Sequence, residues 1–128
     1  MSDKKMRVMV VDDAALVRLF YRETLETAGF IVDEALNGLE ALEKVLLNAP
    51  DLLIVDVNMP QMDGITFIKT LRRQERPVAG IPVLVTSTEA APQDFAAARE
   101  AGANFYLVKP LDPDRLSAFA AMMCGVAT

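Results

Sequence analysis

Four short apolar runs in this chain each stop on a polar residue. Val8 to Val11 stop on Asp12 and Asp13, Leu52 to Val55 on Asp56, Val83 to Val85 on Thr86, and Phe105 to Val108 on Lys109. Continuously apolar runs of this length suit strands of a parallel sheet with helices on both faces. If the runs are parallel strands, every one of these polar side chains lands on a single edge of a single sheet. That edge, at the carboxyl ends of the strands, is where open α/β sheets place ligand chemistry. The pattern therefore points to an α/β fold and to its candidate site in one step.

The segments between the runs read as helices, so the chain divides into five β-α units. Strands are expected near 7-11, 52-56, 81-86 and from Phe105 to Val108. Ile31 to Ala35 contains Asp33 and Glu34, which suits an edge and places strand 2 outside strands 1, 3 and 4. The first helix, about 14-28, sets Val17, Phe20, Tyr21, Leu25 and Ala28 on one stripe that can lie on the sheet, and Gly29 offers a left-handed cap. Asn37 can cap the second helix, with Leu42, Val45 and Leu46 inward and Ala49-Pro50 ending it. Asp63 can cap the third, carrying Ile65 and Ile68; Asp112 before Pro113 opens the fifth, carrying Leu116, Phe119 and Met123. The fourth, about Gln93 to Ala101, has a face of alanines around Phe95 and should be held less tightly, because alanine buries little area. Right-handed crossovers in such a doubly wound sheet open a crevice where the winding reverses.

Composition narrows the chemistry. A chain of 128 residues is expected to be one domain, and its apolar stretches fall far short of the roughly 18 to 20 residues that span a bilayer. The charged start, Met1 to Arg7, and the apolar run ending at Asp12 do not form a signal peptide, so a soluble, cytoplasmic protein is expected. The single cysteine, Cys124, rules out an internal disulfide and any CxxC motif, and suits a packed position near the end of the last helix. The absence of histidine removes the usual zinc, Ser-His and Cys-His chemistries. A net charge of -5 argues against direct nucleic-acid binding.

Asp12, Asp13 and Asp56 would bring three carboxylates to the crevice. Two like charges about 4 Å apart cost on the order of 4 kcal/mol at an effective dielectric near 20, so the cluster either takes up a proton or binds a cation. Mg²⁺ suits the second option, and the backbone carbonyl of Asn58 can add a ligand. Beside such an ion the Asp56 carboxylate can attack a phosphoryl group, with Lys109 as a nearby ammonium and Thr86 as a hydroxyl donor to the bound group. Taken singly, each residue has a plainer account: a turn aspartate, a solvated lysine, a strand-end threonine, and a half-buried Tyr106. Their joint placement at four strand ends favours the site.

Asp12-Asp13, Asp56, Met59-Pro60 with Met62-Asp63-Gly64, Thr86, Tyr106 and Lys109-Pro110 together resemble the receiver domain of bacterial two-component response regulators, with the spacing of its single-domain, CheY-like members. The likeness runs from about Arg7 to Met123. It implies a flavodoxin-like sheet of strand order 2-1-3-4-5 with five helices. It also implies that Asp56 accepts a phosphoryl group from a phosphohistidine on a sensor histidine kinase. Mg²⁺ would be bound by Asp13, Asp56 and the Asn58 carbonyl, with Asp12 assisting. Thr86 and Tyr106 would form a switch pair that reshapes the face of helix 4, strand 5 and helix 5. A cis Lys109-Pro110 bond follows from the same likeness. Ala14 departs from the polar residue often found after the acidic pair, and Asn58 and Thr88 stand where the family tunes the lifetime of the phosphoryl group. Nothing follows residue 128, so no output domain is expected and the signal would leave by protein contact; a monomer is expected. Its partner would be the flagellar motor switch or another phosphorelay protein.

Rival readings meet specific obstacles. A flavodoxin-like FMN binder needs a hydroxyl- and amide-rich loop where this chain has Asp12-Asp13. A haloacid-dehalogenase-like hydrolase wants a second acid at the position of Asn58. The P-loop motif is missing. A binding-only pseudo-receiver is opposed by the intact acidic pair, Asp56, Thr86 and Lys109.

Overall fold

The computed structural model describes residues 5–126. Five parallel strands, β1 (Arg7–Val11), β2 (Ile31–Ala35), β3 (Leu52–Asp56), β4 (Val83–Ser87) and β5 (Phe105–Val108), pair in the order β2-β1-β3-β4-β5. Helices α1 (Ala15–Thr27), α2 (Gly38–Leu47), α3 (Gly64–Arg72), α4 (Pro92–Ala101) and α5 (Pro113–Met123) alternate with them, and a short 3₁₀ turn, Val78–Gly80, precedes β4. This is the CheY-like flavodoxin fold, with β2 at an edge as its two acidic residues imply.

Alternation along the strands sorts the core into two layers. Val8, Val10, Leu52, Ile54, Leu84 and Leu107 face α1 and α5, meeting Tyr21, Leu25, Leu116 and Ala120. Met9, Val11, Leu53, Val55, Val83 and Val85 face α2, α3 and α4, meeting Ala41, Val45, Phe67, Ile68 and Ala98. Winding reverses between β1 and β3, so the crevice opens above their carboxyl ends.

The helix ends follow side-chain chemistry. Asn37 accepts from the Glu40 N–H at 2.9 Å, Asp63 from the Thr66 N–H at 2.9 Å, and Asp112 from the Arg115 N–H at 3.3 Å. Gly29 follows α1 at φ +98°, as its sequence position suggests. Lys109–Pro110 is cis, and so is Arg76–Pro77, which no sequence signal singles out.

Three local expectations are corrected. The α1 stripe ends at Leu25: Ala28 is an exposed cap residue, and Phe30 closes the layer in its place. In α2 the inward direction runs through Gly38, Ala41 and Val45, set by the Gly38 N–H donating to the Met62 carbonyl at 2.9 Å; Leu46, one residue round from Val45, is 55% exposed. Strand β4 begins at Val83, because Pro82 has no N–H for the ladder and supplies only its carbonyl, to the Leu53 N–H at 3.0 Å. On α3, Phe67 and Leu71 join Ile68 in the core while Ile65 is partly buried. Helix α4 buries only Ala98 and Ala101, as its alanine-rich face predicts.

Candidate functional site

Asp12, Asp56, Thr86 and Lys109 continue the alternation of Val10, Ile54, Leu84 and Leu107, so all four point to the α1/α5 side at the carboxyl edge of the sheet. The Lys109 N–H donates to the Ser87 carbonyl at 2.8 Å, which extends the β4-β5 pairing to the lysine. Tyr106 has the opposite phase and lies on the other side, against α4.

The side chains meet. Lys109 Nζ donates to Asp12 Oδ2 at 2.9 Å and to Asp56 Oδ1 at 3.1 Å. Asp12 Oδ1 accepts from the Ala14 N–H at 2.9 Å, and Arg18 donates to the Asp12 carbonyl at 2.8 Å while pairing with Glu34. Asp12 and Asp56 are buried, Asp13 is exposed, and one oxygen from each of the three lies within 4.8 Å of the others. This oxygen-only donor set, open to solvent on the Asp13 side, fits a small hard dication that keeps several waters. Asn58 is exposed on the turn leading out of β3.

Electrostatics distinguish the groups. Burial raises the Asp56 carboxyl above its ordinary value; the Lys109 hydrogen bond opposes this, and Asp12 and Asp13 add to it. Burial alone would lower the Lys109 ammonium, but its hydrogen bonds to Asp12 and Asp56 hold it above its ordinary value, so it stays charged. Thr86 is fully buried, and its Oγ1 has no hydrogen-bond partner among the described residues. Such an orphaned hydroxyl is uncommon in a native interior and marks a donor in want of an acceptor.

Behind Asp56, α3 starts unusually close. The Gly64 N–H donates to the Val57 carbonyl at 2.9 Å, and a Cβ at Gly64 would stand 2.3 Å from the Asp56 carbonyl oxygen. The Met62-Asp63-Gly64 turn, which composition shows only as a turn, therefore sets how tightly α3 backs the central aspartate. On the opposite side Tyr106 is half-buried; its hydroxyl donates to the Glu89 carbonyl at 2.9 Å and its ring meets Phe95 edge-on at 4.6 Å.

A sequence profile for the response regulator receiver domain matches residues 8–121. The chain belongs to the response regulator receiver domain family. Receiver domains are signalling phosphoacceptors that work with sensor kinases and downstream targets. Among curated proteins, the chain is 41% identical over 104 residues to the transcriptional regulatory protein PrrA of Mycobacterium tuberculosis, covering 81% of this chain and 43% of that protein. It is 42% identical over 107 residues to a protein-glutamate methylesterase/protein-glutamine glutaminase of Archaeoglobus fulgidus, covering 82% of this chain and 30% of that protein. It thus spans less than half the length of these curated relatives. Among solved structures, the chemotaxis protein CheY4 of Vibrio cholerae superposes with a TM-score of 0.87 at 34% identity, over 94% of this chain and 99% of that one.

Two residues near this receiver site escape a reading of the sequence. Arg18 supports Asp12 through a backbone carbonyl, which leaves no sequence signal. Tyr21 reads as one more apolar member of the α1 stripe, although a buried tyrosine carries a hydroxyl that needs a partner.

Proposed function

We propose that the chain is a receiver that accepts a phosphoryl group on Asp56 and passes the signal on by protein contact. The observation that carries this reading is the Lys109 ammonium bridging buried Asp12 and Asp56 beside the unpartnered Thr86 hydroxyl. An Asp56 oxygen attacks the phosphorus of a kinase phosphohistidine. A P–O bond forms, the P–N bond breaks, and its electron pair stays on the imidazole nitrogen, which leaves an acyl phosphate on Asp56. Lys109 shifts from pairing the free carboxylate to pairing the phosphoryl oxygens, and Thr86 supplies its free hydroxyl to one of them. Asp12, Asp13, Asp56 and the Asn58 carbonyl would hold Mg²⁺, which when bound offsets the negative charge of the incoming oxygens.

Tyr106 serves as the switch aromatic, coupled to weakly anchored α4 through Phe95, so that a charge change at Asp56 biases the α4-β5-α5 face. The favoured role is chemotaxis-type signalling by a cytoplasmic, monomeric receiver, supported by the structural likeness to CheY4 over 94% of this chain. Service as a phosphorelay intermediate or phosphate sink is the alternative, and a pull-down with phosphorylated and unphosphorylated protein separates the two by the partner captured. For the chemistry, acetyl phosphate with Mg²⁺ adds one phosphoryl group to the wild type and none to Asp56→Asn. Equal labelling of both proteins refutes the assignment of Asp56, and no labelling of either favours the binding-only alternative.

A further inference from the structure

The acidic turn after β1 is gripped by a side chain that takes no part in the chemistry above. Asp12 leaves the strand with its N–H donating to the Ala35 carbonyl at 3.1 Å. Helix α1 then starts behind Ala14, whose methyl group makes no capping hydrogen bond, so the turn lacks the restraint a polar N-cap supplies. Arg18, one turn into α1, reaches back instead. Its Nη1 donates to the Asp12 carbonyl at 2.8 Å and its Nε to Glu34 Oε1 at 2.8 Å, with the side chain only 13% exposed. Glu34 is itself held on β2, where Arg22 Nε donates to its other carboxylate oxygen at 2.6 Å.

The Asp12 carbonyl belongs to the peptide that leads directly into Asp13. Asp13 is exposed, so its direction comes from the backbone beneath it rather than from packing. Lys109 and the Ala14 N–H hold the Asp12 carboxylate, and Arg18 holds the peptide behind it. We propose that Arg18 is a positioning residue for the divalent-ion site: it fixes the Asp12-Asp13 peptide so that the Asp13 carboxylate stays beside those of Asp12 and Asp56, while Glu34 anchors the guanidinium and offsets its charge. This rests on the reading of Asp13 as a metal ligand. A guanidinium suits the task, because its planar fork holds a carbonyl and a carboxylate at once. Charge alone predicts the opposite effect on removal, since a cation beside the site repels a second one.

Calorimetric titration of the full, unphosphorylated chain with Mg²⁺ reads that sign. Arg18→Met keeps the stem and removes the donors, and Mg²⁺ affinity falls about tenfold, the scale set by losing a group that orients a metal ligand. Arg22→Met removes the other partner of Glu34 without touching Asp12, and leaves the affinity at the wild-type value. Arg18→Lys keeps the charge but not the fork, and binds Mg²⁺ more weakly than wild type and more tightly than Arg18→Met. Labelling of Arg18→Met by acetyl phosphate returns to the wild-type rate at saturating Mg²⁺, because Asp56 is unchanged. Equal or tighter Mg²⁺ binding in Arg18→Met, an equal loss in Arg22→Met, or labelling that stays slow at saturating Mg²⁺ overturns the proposal. Should Arg18→Met fail to fold, Arg18→Lys decides alone: weaker binding supports the proposal, and wild-type or tighter binding overturns it. A wild type that takes up no Mg²⁺ overturns the metal reading itself, and this inference with it.

Discussion

Replacing Asp56 by asparagine should make the protein more stable while abolishing its chemistry. In the native state the Asp56 carboxylate is 7% exposed, with Asp12 and Asp13 oxygens within 4.8 Å and Lys109 Nζ at 3.1 Å. At an effective dielectric near 20, an oxygen pair at the full 4.8 Å repels by about 3.5 kcal/mol, and the lysine attracts by about 5 kcal/mol. Solvent reduces the share of exposed Asp13 to a fraction. The Coulomb terms thus nearly cancel, and the cost of burying a carboxylate is left over. The Asp56→Asn substitution removes that charge, and the new amide oxygen still offers Lys109 an acceptor. The expected gain at pH 7 with a chelator present is about 1 kcal/mol, or roughly 3 to 5 °C in Tm for a domain of this size.

The pH dependence carries the sign. Because the folded carboxyl titrates above its unfolded value, the native state binds more protons than the unfolded chain between the two. This contribution to wild-type stability is present below the unfolded value and is lost as pH rises through the folded one. The advantage of Asp56→Asn therefore shrinks as pH falls into the carboxylate range. Melting followed by circular dichroism at a series of pH values measures it. An Asp56→Asn protein less stable than wild type at pH 7, or a gap that does not change with pH, refutes the reasoning.

Other outcomes follow from the same geometry. Thr86→Val removes the orphaned Oγ1 at almost constant volume, so the unphosphorylated protein should gain about 1 kcal/mol in denaturant unfolding while partner binding no longer responds to phosphorylation. Gly64→Ala places a Cβ 2.3 Å from the Asp56 carbonyl oxygen and should cost about 2 kcal/mol or more, read from the unfolding midpoint together with slower labelling by acetyl phosphate. Burial pushes the Cys124 thiol up to about 11, so its alkylation rate should still be climbing above pH 9 and should rise sharply in denaturant.

Legibility in the sequence tracks how strongly each residue type commits its environment. Val8 to Val11 and Leu52 to Val55 carry nothing but apolar side chains, and a run of that kind has few places in a small domain except the sheet centre, so strand placement and the shared edge of Asp12, Asp56, Thr86 and Lys109 can be read directly. Asp33 and Glu34 mark the edge for the same reason. The phase of α2 is misread because leucine is the louder signal: Leu46 draws the stripe toward itself, whereas the helix is set by Gly38 against Met62 and by the small Ala41. Ala28 misleads similarly, since alanine tolerates either side of a boundary. Tyr21 hides its hydroxyl behind an aromatic ring that fits the apolar pattern. Gly64 looks like turn chemistry alone, because the carbonyl it makes room for is not part of its own turn.

On the proposed mechanism the buried carboxylate of Asp56, neutralised by Lys109 and a divalent ion, carries the phosphoryl group. Peptide mapping by mass spectrometry after acetyl phosphate treatment and reductive trapping tests it most directly. A single modified peptide, bearing Asp56 and absent when the divalent ion is chelated, is the predicted result. Modification at another residue, or labelling indifferent to chelation, contradicts the account.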